Sequence, residues 1–222
     1  MHSHRGGREI GHRNRPQNMP SLLSARFHTT VAQRRQLPRE GVPEVAVVGR
    51  SNSGKSSVIN LLCNRRRLAF SSSTPGRTQA LNFFALGPPD EIQAYLVDTP
   101  GYGYAAAPQE LRRSWDELAG QYLRGRGELR GIVVTVDIRR SLTARDRQML
   151  DWLAPELPLL VLLTKADKLA SSQRQAAVRK SATELAQLRA ENAKLIAFST
   201  LKRIGVDEAT AHIEAWLDDE RK

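Results

Sequence analysis

Residues 49–57 read Gly-Arg-Ser-Asn-Ser-Gly-Lys-Ser-Ser, directly after the small and β-branched run Val45-Ala46-Val47-Val48. The spacing Gly49-x-x-x-x-Gly54-Lys55-Ser56 is that of a loop that wraps its own backbone around phosphate groups. Glycines are needed because the chain must turn tightly with its N–H groups aimed inward. Lys55 supplies a cation for the β- and γ-phosphates, and the Ser56 hydroxyl supplies a ligand for Mg²⁺. A helix expected to follow adds the positive end of its dipole. Arg50, Ser51, Asn52 and Ser53 form the rest of the cradle, with Ser57 just beyond it. Such loops serve kinases, ATP-driven motors and GTP switches, so the nucleotide must be read elsewhere.

Three further segments bear on that choice. Asp98-Thr99-Pro100-Gly101 follows the apolar run Ile92–Val97. A carboxylate there can hold Mg²⁺ through a water, and the Gly101 N–H can sense a γ-phosphate. Thr164-Lys165-Ala166-Asp167 follows Leu159–Leu163. A carboxylate in the plane of a purine accepts hydrogen bonds from both N1–H and the 2-amino group of guanine. Adenine offers neither donor and would leave the carboxylate desolvated and unpaired. The stem of Lys165 can lie along the purine face. Ser199-Thr200, after Leu195–Phe198, can offer backbone N–H groups to the guanine O6. Singly, an Asp-x-x-Gly or a Lys-Ala-Asp also describes an ordinary exposed turn. Four segments in this order, each just past a strand-like run, point to guanine.

The elements that must position them alternate along the chain. Strand-like runs are Val45–Val48, Leu81–Leu86, Ile92–Val97, Ile132–Val136, Leu159–Leu163 and Leu195–Phe198. Residues 109–124 place Leu111, Trp115, Leu118 and Tyr122 on one helical face, and residues 205–217 do the same with Val206, Ala209, Ile213 and Trp216. Thr143 and Ser171 stand where N-caps are expected. Strand–helix alternation predicts an α/β fold, a mostly parallel sheet with helices on both faces. Ligands in such folds bind at the carboxyl ends of the strands. No internal repeat and no interdomain linker after residue 41 is visible, which predicts one domain.

The chain has 222 residues, 40% of them hydrophobic and 26% charged, as in ordinary globular proteins. No apolar run is long enough for a bilayer, so no membrane partner is expected. Cys63, the only cysteine, excludes an intramolecular disulfide and sits in an apolar run, where it reads as core filler. A reducing, intracellular setting fits. The net charge is +11, and residues 1–40 carry +6 of it, with eight arginines against Glu9 and Glu40. Residues 1–23 read as a disordered basic extension without the apolar core of a secretion signal, and Met19 is an alternative start. Arg65-Arg66-Arg67, Arg124-x-Arg126 and Arg139-Arg140 are candidates for contact with RNA phosphates or plain solvated surface.

The segments GRSNSGKSS, TPGRTQALNFF, DTPGYGYA, LLTKADKL and FSTLKRIG, in this order, resemble the EngB family, one of the TrmE-Era-EngA-EngB-Septin-like GTPases. The resemblance spans about residues 24–217 and implies a Ras-like P-loop GTPase domain over residues 24–219. It implies slow GTP hydrolysis with Mg²⁺ and a switch role in assembling the large (50S) ribosomal subunit, with effects on cell division and septation. A monomer in the bacterial cytoplasm, bound to precursor rRNA and ribosomal proteins, is expected. Carried onto this chain, the resemblance makes Gly76, Arg77, Thr78, Gln79 and Ala80 part of the first switch, with Thr78 the second Mg²⁺ ligand beside Ser56. Asp98, Thr99, Pro100 and Gly101 begin the second switch. Thr164, Lys165, Ala166 and Asp167 read the base, and Phe198, Ser199 and Thr200 complete its pocket. Lys55, Thr78, Gly101 and Asn52 are the expected catalytic positions.

Two residues depart from the general GTPase pattern. Thr164 stands where most carry Asn, which predicts a weaker hydrogen bond between base loop and phosphate loop. Tyr102 stands where Ras-like enzymes place the Gln that orients the attacking water, so hydrolysis must be slow or use another group. Asn52 suggests one, because an Asn here is seen in GTPases that recruit K⁺ beside the phosphates. Two rival readings stay open: a P-loop ATPase or kinase, and a septum-associated scaffold using GTP only for conformation.

Overall fold

The computed structural model describes residues 20–70, 80–102, 118–188 and 192–218. Gly76, Arg77, Thr78 and Gln79, and the first half of the helix expected at 109–124, lie outside the described residues. Seven strands form one sheet: β1 (Arg26–Val31), β2 (Glu44–Gly49), β3 (Leu81–Leu86), β4 (Ala94–Asp98), β5 (Leu129–Asp137), β6 (Leu159–Thr164) and β7 (Ala193–Ala197). Their spatial order is β1-β3-β4-β2-β5-β6-β7. β3 runs antiparallel to its two neighbours β1 and β4, while β4, β2, β5, β6 and β7 are parallel. Among the described residues five helices accompany it: α1 (Lys55–Leu62), α2 (Leu118–Gly125), α3 (Ala144–Trp152), α4 (Ser171–Leu188) and α5 (Val206–Leu217).

The period of two in the central strands decides which helices cover which face. In β2, β5 and β6 the residues Ala46, Val48, Ile132, Val134, Val161 and Leu163 pack with Tyr122, Leu123, Met149, Leu150 and Leu185 from α2, α3 and α4. Their neighbours Val45, Val47, Val133, Leu160 and Leu162 pack on the other face with Val58, Ile59 and Leu62 of α1 and Val206, Ala209 and Ile213 of α5. Both faces of these strands are therefore dry, and each fully buried aliphatic contributes about 1.5–3 kcal/mol. Trp216 fits against β5 only because residue 131 is glycine: a Cβ there would fall 2.4 Å from the indole Cε3.

Several boundaries differ from the sequence expectation. β1 was not expected, and it is an edge strand with five of its six residues exposed or half-buried, so it has no apolar run to betray it. β4 begins at Ala94 rather than Ile92, and β7 ends at Ala197, leaving Phe198 just past the strand. Thr143 does cap α3, accepting from the Asp146 N–H while the Asp146 side chain accepts from the Thr143 N–H. Ser171 is the first residue of α4 rather than its cap. The folded body also starts before residue 24. Leu22 is fully buried, and its N–H donates to Glu214 Oε1 at 3.0 Å, so residues 20–23 belong to the domain and not to an extension.

Candidate functional site

The phosphate loop follows from what β2 must do after it leaves the sheet. Gly49 closes the strand where a Cβ would lie 2.0 Å from Thr135 Oγ1 and 2.5 Å from Ser53 Oγ, so no side chain fits. Ser53 Oγ and Thr135 Oγ1 are 2.7 Å apart, and the Thr135 hydroxyl reaches Val48 O at 3.2 Å, which clamps the loop base to β5. Asn52 and Gly54 hold positive φ, 64° and 93°, and the second favours glycine strongly. α1 then starts at Lys55, and its N-terminus with the loop walls a cavity of about 640 Å³. Arg50, Ser51, Asn52, Gly54, Lys55, Ser56 and Ser57 line it together with Ala80, Asp98, Thr99, Pro100, Gly101 and Lys165. Sequence reasoning missed Thr30, Asn82 and Phe70, which also line it. Thr30 donates to Asn82 Oδ1 at 2.8 Å across the β1–β3 pair, and Phe70 is 71% exposed at the rim.

The end of β4 meets the loop closely. Lys55 Nζ is ion-paired to Asp98 Oδ1, with both side chains largely buried. Thr99 is held by its N–H and its hydroxyl, both reaching Val47 O, at 3.2 and 3.0 Å. Gly101 lies over the loop, where a Cβ would come 3.0 Å from Ser51 Oγ. Tyr102 N–H then donates to Gly49 O at 3.2 Å and Ser51 N–H to Tyr102 O at 3.4 Å, a parallel bridge that fastens the segment after β4 to the phosphate loop. The Tyr102 side chain belongs to the core, 4% exposed, and its hydroxyl donates to buried Asp146 Oδ1 at 2.7 Å. Burial and the Asp146 carboxylate push this phenol's pKa well up, so it stays a donor. Ser56 and Asp98 offer oxygen donors only, as suits a hard cation that keeps waters and phosphate oxygens as its other ligands.

The third part sits at the ends of β6 and β7. Thr164 Oγ1 lies 2.6 Å from Ser53 O and 3.1 Å from Val136 O. The link to the phosphate loop is therefore short, contrary to the weakening expected from Thr in place of Asn. Lys165, at φ 58°, spans the same gap: its Nζ donates to Asn52 O at 2.8 Å and pairs with Asp137 at 3.0 Å. Burial raises the Asp137 pKa, but Arg139 and Lys165 outweigh it and hold the carboxyl well below the usual range. Ser199 Oγ donates to Asp167 Oδ1 at 2.6 Å, which lowers the Asp167 pKa and orients the carboxylate. Ala166 N–H donates to Phe198 O at 3.0 Å, joining the two loops. The Ser199 N–H is already donated to Ile204 O at 3.1 Å, so of the two amides expected for the base only that of Thr200 has no bond among the described residues. Asp167, Ser199 and Thr200 lie past Lys165 and are not among the walls of the 640 Å³ cavity.

Residues 44–165 match a family model described as a 50S ribosome-binding GTPase. A probable GTP-binding protein EngB of Paraburkholderia xenovorans is 48% identical over 206 residues, covering 90% of this chain and 95% of that one. The chain belongs to the EngB family. The probable EngB protein of Bordetella pertussis is 49% identical over 203 residues, 90% of this chain and 97% of that one. Among solved structures, a probable GTP-binding protein engB superposes with a TM-score of 0.57 at 20% identity, covering 78% of this chain and 98% of the other. The GDP complex of SsGBP gives 0.57 at 21% identity, over 80% of this chain and half of the other. These two likenesses establish the fold: the chain is an α/β, Ras-like P-loop GTPase-type domain. Among the described residues no helix is long and apolar enough to cross a membrane.

The basic clusters are unequal. Arg126 is committed to buried Glu44 and Arg139 to Asp137, while the Arg124 guanidinium lies 5.2 Å from the Trp152 ring. Arg65, Arg66 and Arg67 are exposed.

Proposed function

We propose that this EngB-family chain binds GTP and GDP with Mg²⁺, hydrolyses GTP, and acts as a monomeric switch in the assembly of the large ribosomal subunit in the bacterial cytoplasm. The observation that carries the nucleotide reading is the convergence of four strand ends. β2, β4, β6 and β7 bring the phosphate loop, Asp98, Lys165 and the Asp167–Ser199 pair to one edge of the parallel sheet. Asp167, oriented by Ser199, suits the two donors of guanine and leaves adenine unmatched, which disfavours the ATPase or kinase reading. Lys55 passes from Asp98 to the β- and γ-phosphate oxygens as they enter. Ser56, with Thr78, is assigned to hold Mg²⁺, which supplies charge neutralisation between those phosphates.

Tyr102 faces the core and cannot orient a water, so positioning by the loop amides, Lys55 and Gly101 carries catalysis. A rate set by these alone is slow, and Asn52 with K⁺ is the proposed supplement. The family model's description supports the ribosomal assignment, and effects on division and septation follow from failed subunit supply. Nucleotide competition tests the first part: GTP displaces bound fluorescent GDP and ATP does not, and Asp167→Ala abolishes that preference. Co-sedimentation with 50S particles tests the second. Binding with GTP and release with GDP supports the switch, whereas no particle binding with either leaves a scaffold role instead.

A further inference from the structure

At the end of the sheet opposite the phosphate loop a second cavity, of about 390 Å³, lies between residues 34–39 and the end of α2. Its charged walls are Arg34, Arg35, Arg39, Arg126 and a single carboxylate, Glu128. Arg126 is a fixed floor. Its side chain is 13% exposed, Nη2 donates to Glu44 Oε1 at 2.6 Å and to Pro38 O at 2.8 Å, and Nε donates to the same Glu44. Glu44, fully buried, is held in turn by the Tyr122 hydroxyl at 2.7 Å. The three rim arginines differ: all are exposed, and none has an ion pair or side-chain hydrogen bond among the described residues. Arg126 is matched by Glu44 and by Glu128, whose Oε2 lies 3.1 Å from its Nε, so the three rim guanidinium groups are left without a counter-charge on these walls and repel one another unless an anion lies among them.

We propose that this cavity is a docking surface for the phosphate backbone of RNA, gripped by Arg34, Arg35 and Arg39 over the fixed Arg126. The guanidinium fork matches phosphate oxygens in paired bonds. A bilayer is disfavoured because the exposed large apolar residues, Leu23, Phe27, Phe70 and Leu201, all lie outside these walls. A folded protein partner would want an exposed apolar centre, whereas the apolar walls Leu37 and Leu118 are half-buried and Pro38 and Tyr122 are buried. Glu44 and Gly49 begin and end β2, so at about 3.3 Å per residue this surface lies roughly 17 Å from the phosphate loop. RNA held here leaves the nucleotide cavity open, and its grip is the same with GTP and GDP. The inference rests on the ribosomal reading only in naming large-subunit rRNA as the source of those phosphates.

The test uses the full chain and protein-free large-subunit rRNA, titrated between 50 and 200 mM KCl with GTP and with GDP. Arg34→Gln/Arg35→Gln/Arg39→Gln should lower the slope of log affinity against log salt by about 2–3, at roughly 0.7–0.9 for each phosphate no longer neutralised. GTP affinity and melting temperature should stay unchanged. An unchanged slope overturns the proposal. Arginine-dependent binding to anionic phospholipid vesicles or to 50S proteins, with none to the RNA, overturns it too. If the variant melts early, Arg39→Gln alone, with an expected slope reduction near 1, decides the same question. The outcomes separate from the switch: GTP-dependent sedimentation of the triple variant with an unchanged RNA slope sinks this surface only. A reduced slope, with no particle binding by the parent chain, sinks the assembly role only.

Discussion

Replacing Tyr102 with Phe removes one oxygen atom and keeps the ring in its core position. The bond that disappears is the 2.7 Å one from the phenol to Asp146, and both partners are buried. Asp146 is not orphaned, because the Thr143 N–H and hydroxyl still reach its Oδ2 at 2.8 and 2.6 Å. The cost should therefore be that of a hydrogen bond to a charged group, about 1.5–3 kcal/mol, without a further penalty for an unmet carboxylate. That energy fastens residues 101 and 102 onto the phosphate loop through Tyr102 N–H to Gly49 O and Ser51 N–H to Tyr102 O. If the anchor holds Gly101 for a γ-phosphate, loosening it weakens GTP binding and spares GDP. The ceiling is roughly ten- to hundredfold, since about 1.4 kcal/mol is a factor of ten. Fluorescent GTP and GDP analogues titrated against both proteins, beside urea melts, give the answer. Equal weakening of the two nucleotides, or an unchanged urea midpoint, refutes the reasoning.

Other residues carry outcomes of their own. Cys63 is fully buried and its thiol is pushed up to about 12 by burial, so a disulfide reagent at pH 8 should label it only after unfolding; rapid native labelling would contradict this. A chain starting at Ser24 should lose about 1.5–3 kcal/mol relative to one starting at Pro20, the burial of Leu22, with more from the lost Leu22 N–H bond to Glu214. Matching urea midpoints would place those residues outside the domain. Asp137 has a depressed pKa, so its contribution is complete above the ordinary carboxylate value of about 4 and is lost as pH falls towards the folded value. Asp137→Asn should accordingly show a shallower acid limb, and parallel limbs would exclude the effect. Turnover should be faster in KCl than in NaCl at equal ionic strength, and equal rates would remove Asn52 from catalysis.

How much of this was legible depends on where the partner of each residue lies. β2, β5 and β6 are buried on both faces, so their apolar runs stand out, and the segments at their ends could be placed from the sequence alone. β1 has solvent along most of its length, and Arg26-Phe27-His28-Thr29-Thr30-Val31 offers only its β-branched and aromatic content as a signal. Tyr102 was legible as a departure, but its direction was not. Whether a tyrosine faces phosphate or core is decided by Asp146, 44 residues on, which also caps α3. Adjacent arginines misled for the same reason. Arg124-x-Arg126 looks like an open cluster, yet Arg126 is matched to Glu44, 82 residues upstream. Arg34, Arg35 and Arg39 sit in a stretch that carries no motif, yet their side chains have no ion pair or hydrogen bond among the described residues. Charge along the sequence says how many cations there are. Only the fold says which of them are already neutralised, and a polyanion can compete only for the remainder.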